Sequence, residues 1–309
     1  EFSCGHFTGM PKSNRMNGSN HEFYPGIQAL DFQEPGLMTK TAVQIAMITL
    51  LSLSLSGCFG FSFWFERLDT IALWRLDDMF ELTADQEDQA EPVLEALQEW
   101  LRNEAFPDVI PRLQHIETLW RRGELEQAFL TLEVDTQYLV NRFLQESWPM
   151  IVPLLEQFTA KNARAYLAYG ESKTDDWFDE TESEEAKLED RIDRLEDWFG
   201  HLNDAQLQLV ETHTRLFTNE RTIRIDNSRQ RRERYMELAL AGDIPAMQRV
   251  YTHPADVQTP QYRQWREQER QQIHQLFRQL VPTLSEKQRR YTGKKLRRWI
   301  TNLEAVVQP

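Results

Sequence analysis

The histidines are the residues of this chain best suited to chemistry, and their spacing fits no common catalytic or metal site. Five of the seven follow residue 58, and none forms the His-Glu-x-x-His pattern that binds zinc on one helix face. No Glu-x-x-His pair is present for a di-metal helical bundle either. We therefore predict no metal site, no cofactor and no catalytic residue among these five, which are His115, His201, His213, His253 and His274.

Asp77, Asp78 and Glu81 form a second group of interest, because paired carboxylates can transfer protons. They lie at a predicted helix end beside a cap, and this position favours a salt bridge to an arginine over catalysis. The stretch 292–295 (Thr-Gly-Lys-Lys) matches a phosphate-binding loop only in its Gly-Lys pair and is predicted to be helix surface. The chain also lacks the Gly-x-Ser-x-Gly turn of a serine nucleophile. The sequence thus predicts a protein that is not an enzyme.

Cys58 is the residue with the strongest prediction of covalent chemistry. An apolar run at 45–55 precedes it, which is too short to cross a bilayer and is typical of a signal peptide. The four residues that end at this cysteine resemble the lipobox of bacterial lipoproteins. The resemblance implies that diacylglycerol is attached to Cys58 and that residues 38–57 are removed as a signal peptide. An ordinary secretory signal with a chance cysteine is the alternative. The lipobox residues are Leu55, Ser56, Gly57 and Cys58.

Residues 1–37 do not fit this plan, since Gly, Asn, Ser, His and Pro are scattered there without any helical or strand period. Met38 is a natural start for the signal peptide. We expect residues 1–37 to be a non-native or disordered extension; a genuine cytoplasmic leader is the alternative. Phe59 follows the cysteine where an aspartate would resemble an inner-membrane retention signal. We therefore expect a lipid anchor in the membrane facing the periplasm, in the outer membrane rather than the inner.

The composition of residues 58–309 limits the partners of the protein. These 252 residues contain 32 basic and 45 acidic side chains, a net charge of about −13. Nucleic-acid binding needs a basic footprint, so we predict no nucleic-acid partner. No other apolar run approaches membrane length, which predicts contact with the membrane through acylated Cys58 only.

Apolar residues recur with a helical period through most of the chain, which predicts an all-α bundle of about eight to nine helices. We predict an N-terminal helical half at 58–170, an acidic connection at 171–181 and a C-terminal helical half at 182–309. Pro149 is expected to stop the fourth helix and Gly170 to close the fifth. The very apolar segment after the anchor is predicted to be a central core helix; insertion into the lipid interface is the alternative.

Three helices are predicted to start with the same pattern, a leucine followed by a cap residue and a glutamine three positions later. A capping box pairs the side chain of each residue with the backbone N–H of the other. We therefore expect the first residue of each pair to be an N-cap and the second to lie in the first helical turn. The pairs are Thr83 with Gln86, Asn203 with Gln206, and Ser285 with Gln288.

The lipobox and three longer stretches resemble a family of proteobacterial lipoproteins of unknown function (domain of unknown function 6279). These stretches are Trp74–Gln86, Trp198–Gln206 and Leu296–Leu303. The three cap patterns also resemble the Leu-Thr-x-x-Gln motif of the periplasmic proteins Spy and CpxP, although the second and third copies lack the threonine. The lipoprotein family has no established activity, and only the likeness to Spy and CpxP implies a chaperone-like role. We expect a non-enzymatic envelope protein that binds other proteins in a chaperone-like manner. An enzyme or transport accessory with a ligand pocket assembled by the fold is the alternative.

The last predicted helix is strongly basic, and two arrangements explain this. The helix faces the acidic helix predicted at 182–197, or it lies on anionic lipid headgroups. A charge-balanced bundle surface is ordinary, which favours the first arrangement. The basic residues are Lys287, Arg289, Arg290, Lys294, Lys295, Arg297 and Arg298.

Overall fold

The computed structural model describes residues 57–179, 183–216 and 220–308, and all regular structure in those ranges is helical. The prediction of an all-α fold is confirmed. The helices are α1 (Gly57–Phe65), α2 (Leu68–Phe80), α3 (Ala84–Trp100), α4 (Phe106–Arg122), α5 (Leu125–Leu155), α6 (Ala160–Asp179), α7 (Glu184–Phe199), α8 (Asp204–Thr214), α9 (Glu220–Ala241), α10 (Ile244–Thr252), α11 (Pro260–Leu280) and α12 (Glu286–Val307).

The predicted extension at 1–37 and most of the predicted signal peptide, including Leu55 and Ser56, lie outside the described residues. Gly57 and Cys58 are the first two residues of α1. In the described ranges, no helix is both long enough and apolar enough to cross a bilayer.

Two predicted helix ends are wrong. Helix α5 continues through Pro149 and Pro153 to Leu155. A proline removes the hydrogen bond to the carbonyl four residues earlier, and Gln145, which carries that carbonyl for Pro149, is exposed to water. Helix α6 continues through Gly170, so the predicted connection at 171–181 is helical as far as Asp179.

Gly170 serves close packing instead of ending the helix. A Cβ placed on it would lie 2.3 Å from Nε of Arg232 on α9, so only glycine lets the two helices approach this closely. In a sequence, a glycine after a helical pattern can therefore mean either the end of the helix or a close contact with another helix, and here a long-range contact decides for the second.

The two predicted halves do not form separate cores. The largest hydrophobic cluster joins Phe61 of α1 to Val306 of α12 and includes side chains from α5, α6, α9 and α10. A second cluster is formed mainly by α7, α8 and α11. Helices of the two halves also pack directly on each other, α4 on α12 and α6 on α9.

Within this interlocked body, four helices of each half are arranged alike. The α2–α3, α2–α6 and α3–α5 contacts of the first half match the α7–α8, α7–α12 and α8–α11 contacts of the second. The helices before the first two caps end with similar residues, Leu76-Asp-Asp-Met-Phe80 and Leu195-Glu-Asp-Trp-Phe199. Three helix–helix contacts of the first half and one helix-end sequence thus recur in the second half.

The apolar segment after Cys58 has two faces. Phe61 and Phe65 are buried in the largest cluster, as a core helix requires. Phe63 and Trp64 on the other face of α1 are 54% and 48% exposed, and Trp74 on α2 is 81% exposed. The segment therefore packs in the core and also presents large aromatic side chains to the outside.

Candidate binding groove and amide clusters

The structure places all three predicted cap pairs at helix starts, with both hydrogen bonds of a capping box present. At the first, the backbone N–H of Gln86 donates to Oγ1 of Thr83 at 3.3 Å, and the N–H of Thr83 donates to Oε1 of Gln86 at 3.0 Å. These bonds satisfy backbone donors that have no partner within the helix.

A fourth box, which sequence reasoning missed, starts α6. The N–H of Thr159 donates to Oδ1 of Asn162 at 2.9 Å, and the N–H of Asn162 donates to Oγ1 of Thr159 at 3.4 Å. Asparagine stands here where the other three boxes have glutamine. The shared signal with the box at Ser285 is a Thr/Ser-x-Lys-Asn/Gln-x-Arg sequence, present at 159–164 and 285–290.

The four boxes meet in two pairs. In the first amide cluster, formed by Thr83, Gln86, Thr159 and Asn162, Nε2 of Gln86 donates to Oδ1 of Asn162 at 3.0 Å and Nδ2 of Asn162 donates to Oε1 of Gln86 at 3.1 Å. Each amide also donates to a backbone carbonyl in the segment that precedes the other box. Nε2 of Gln86 donates to the carbonyl of Gln157 at 3.0 Å, and Nδ2 of Asn162 donates to the carbonyl of Phe80 at 2.9 Å. Four chain segments are therefore fixed at one point.

The second amide cluster, formed by Asn203, Gln206, Ser285 and Gln288, repeats this arrangement. Nε2 of Gln206 donates to Oε1 of Gln288 at 3.2 Å, and Nε2 of Gln288 donates back to Oε1 of Gln206 at 2.9 Å. The amides also donate to the carbonyls of Thr283 (3.1 Å) and His201 (3.0 Å). The glutamines thus hold the tertiary fold as well as their own helix starts.

The acidic group at 77–81 contributes to the same device. Oδ1 of Asp77 accepts the N–H of Leu82 at 3.0 Å, and in the second half Glu196 accepts the N–H of Leu202 at 2.8 Å. Asp78 pairs with Arg75 at 3.2 Å and Glu81 with Lys161 at 3.5 Å. All three carboxylates therefore have structural partners among the described residues.

A groove opens beside the first amide cluster, between α2, α3 and the end of α5. It holds about 850 Å³ of empty space, counting the part open to solvent, and Gln86 and Gln157 are the only polar residues that line it. Seven aliphatic or aromatic side chains in the wall are only partly buried. They are Leu76, Leu82, Val93, Leu97, Ile151, Leu154 and Phe158.

The matching positions of the second half are closed. Leu202 and Leu284, which correspond to Leu82 and Phe158, are 0% and 2% exposed. Gln206 is fully buried, whereas Gln86 lines the groove. The space beside the first amide cluster is therefore an open apolar groove, whereas the matching space beside the second amide cluster is filled.

The basic last helix packs against the acidic helix α7, the arrangement that the sequence favours. Nζ of Lys295 pairs with the carboxylate of Asp197, donates to its carbonyl at 2.9 Å and lies 4.7 Å from the ring centre of Trp198. Burial lowers the pKa of Lys295, and the contact with Asp197 opposes part of that effect. The lysine is thus a buried structural cation.

The histidines considered in the sequence analysis lie at separate places in the structure and do not form one site. His274 pairs with Glu133 at 3.0 Å beside a cleft between α5 and α11, and His201 pairs with Glu196 at 2.9 Å. His213 is buried and close to Gln279, and His253 contacts Thr252. Within the described ranges, no three His, Cys, Asp or Glu side chains are grouped so as to hold a metal ion.

Comparison of the chain with protein-family models, curated proteins and solved structures gives no match. The resemblances drawn from the sequence motifs therefore stay predictions.

Proposed function

We propose that the protein is a lipid-anchored, non-enzymatic protein of the bacterial envelope that binds other proteins in a chaperone-like manner. The observation that carries the proposal is the apolar groove between α2, α3 and α5, with its partly exposed Leu, Ile, Val and Phe side chains. A groove with this lining attracts apolar side chains and offers no group that would transform them.

The groove suits weak, exchangeable binding. Full burial of one leucine-sized side chain stabilises by about 1.5–3 kcal/mol, so a few such contacts with the apolar wall of the groove give measurable binding. The loss of translational and rotational freedom offsets a large part of this gain. We therefore expect micromolar affinity with little sequence specificity, as a chaperone-like protein requires.

The aromatic face of α1 supports the membrane anchor. Phe63 and Trp64 follow Cys58 by five and six residues on the same helix, a rise of about 8–9 Å. Trp is enriched at membrane–water interfaces, and the guanidinium of Arg67 lies 3.9 Å from the ring centre of Phe63. An acyl chain on Cys58 would bring these side chains to the lipid headgroups.

The test measures light scattering from unrelated proteins that aggregate on dilution from urea. The wild-type protein should suppress aggregation at ratios up to equimolar, and the variant Val93→Ser/Leu97→Ser should lose most of this activity. Val134→Ser is the matched control, because Val134 is an exposed valine on α5 outside the groove. Equal activity of the groove variant and the wild type would contradict the proposal.

The alternative, an accessory protein with a pocket for one ligand, predicts a different result. One class of small molecule would then raise the midpoint of thermal unfolding, while aggregation of clients would proceed unchanged.

A further inference from the structure

We infer that the groove selects cationic amphipathic segments, that is, stretches of another polypeptide with one apolar and one basic face. This inference rests on the proposed function and adds the chemistry of the partner to it.

The helices along one side of the groove are strongly acidic. Residues 68–100, which include α2 and α3, contain ten acidic side chains and a single basic one, Arg75. Helix α3 alone has six acidic residues and no basic residue. They are Asp85, Glu87, Asp88, Glu91, Glu95 and Glu99.

These six carboxylates are not neutralised within the fold. None of them forms an ion pair with any residue in the described ranges. Glu87 is partly exposed and the other five are exposed, so a partner can approach them without displacing an internal contact. Acidic side chains of α7 differ in this respect, since Asp190 pairs with Arg194 and Asp197 with Lys295.

Helix α3 carries both the apolar residues that line the groove and the carboxylates that would attract a cationic partner. Gln86, Ala90, Val93 and Leu97 recur at helical spacing and line the groove. Glu87 follows the lining residue Gln86 and is the carboxylate of α3 nearest in angle to the lining face, while the other carboxylates lie on the exposed side of the same helix and extend the negative surface outward. A negative field of this density attracts cations over about 10 Å at 0.1 M salt.

The length of the groove sets the size of the segment. From Gln86 to Leu97 the axis of α3 rises by about 16 Å, which equals about three turns of a partner helix. A segment of about 10–12 residues with three or four apolar anchors on one face would fill it.

The experiment uses the acylated full-length protein in phosphatidylcholine nanodiscs, with empty nanodiscs as the blank. Fluorescence anisotropy measures the binding of three labelled 12-residue peptides: one of Leu and Lys, one with Glu replacing every Lys, and one with Ser replacing every Leu. We expect the Leu/Lys peptide to bind at least tenfold more tightly than either of the others, and its affinity to fall as salt is raised from 0.05 to 0.5 M.

Each peptide result has a distinct meaning. Equal binding of the Leu/Lys and Leu/Glu peptides would overturn the inference and leave the proposed apolar binding function intact. Equal binding of the Lys/Ser and Leu/Lys peptides would overturn it as well, because attraction to negative charge alone would then suffice. If no peptide binds and aggregation of clients is not suppressed, the proposed function fails too.

Variants of α3 locate the effect. Glu87→Gln/Glu91→Gln/Glu95→Gln should weaken binding of the Leu/Lys peptide about tenfold, since exposed charge pairs contribute about 0.2–1 kcal/mol each. The control Glu185→Gln/Glu189→Gln/Glu233→Gln removes three exposed carboxylates from α7 and α9 and should leave the affinity within twofold. Equal weakening by both triple variants would show that net charge, and not the groove, attracts the peptide.

Discussion

Replacing Gln206 by alanine tests whether the second amide cluster holds the two ends of the C-terminal half together. The side chain of Gln206 is fully buried and accepts the N–H of Asn203 at 3.0 Å. It also donates to the carbonyl of Thr283 and exchanges two bonds with Gln288. The substitution removes all of these bonds and leaves buried polar groups without a partner.

The expected loss follows from these contacts. Four hydrogen bonds at about 0.5–1.5 kcal/mol each, together with the unsatisfied groups and the cavity, give a loss of about 3–5 kcal/mol in the free energy of unfolding. For a chain of this size, that loss lowers the thermal midpoint by roughly 10 °C. Gln86→Ala removes matching bonds beside an open groove, where water can replace them, and should cost only about 1–2 kcal/mol.

Equilibrium unfolding in urea, followed by circular dichroism, measures both variants and two double variants. Gln206→Ala with Gln288→Ala should be non-additive by about 1 kcal/mol or more, because the two amides bond each other. Gln206→Ala with Gln86→Ala should be additive within about 0.5 kcal/mol. If Gln206→Ala is no more destabilising than Gln86→Ala, the reasoning from burial is refuted.

Four further predictions address other parts of the chain. Cys58→Ala should abolish labelling with palmitate, and equal labelling of variant and wild type would end the lipoprotein interpretation. Mass spectrometry of the native protein should recover no peptide from residues 1–37, and recovery of one would show that the longer frame is translated. Hydrogen bonding to Arg229, and then to Arg232, lowers the pKa of Glu171 despite an opposing effect of burial. The contribution of Glu171 to stability is therefore present above its unfolded pKa of about 4.3 and is lost as pH falls through the lower folded pKa. The free energies of unfolding of the wild type and Glu171→Gln, measured as a function of pH, should differ above that range and agree below it. Gly170→Ala should destabilise the protein by about 1–3 kcal/mol because the new methyl group would clash with Arg232. In Gly293→Ala the methyl group meets only an ordinary contact at 3.7 Å, so this variant should be more stable than the wild type by about 0.5–1 kcal/mol. Thermal unfolding of both variants measures the two effects.

The local chemistry of the helix starts could be predicted from sequence, since a capping box depends on residues only three positions apart. The helix ends at Pro149 and Gly170 could not. Whether a proline or glycine ends a helix depends on what surrounds it: solvent beyond the carbonyl of Gln145, or the side chain of Arg232 across the helix. The exposure of Gln145 depends on the fold, and the Gly170–Arg232 contact joins positions far apart in the chain, so a single sequence shows neither.

The groove could not be predicted for a similar reason. Leu82 and Leu202 occupy the same place in the same motif, yet one is partly exposed and the other is fully buried. The repeated Leu-Asp/Glu-Asp-x-Phe ends, together with the Thr/Ser-x-Lys-Asn/Gln-x-Arg starts, would have revealed the recurrence between the halves and the fourth cap at Thr159. They would not have shown which of the two amide clusters lies beside an open groove.

An open apolar groove persists only if the surrounding helices are prevented from collapsing into it. The first amide cluster supplies this restraint at one end, because Gln86 and Asn162 fix the starts of α3 and α6 to the carbonyls of Gln157 and Phe80. Helix α6 is held in turn by α9 of the other half. A groove held open in this way would, under the proposed function, need less ordering on binding, so that more of the apolar contact would contribute to affinity. Contact with α9 of the second half thus helps to hold α6, and with it the first amide cluster, in place.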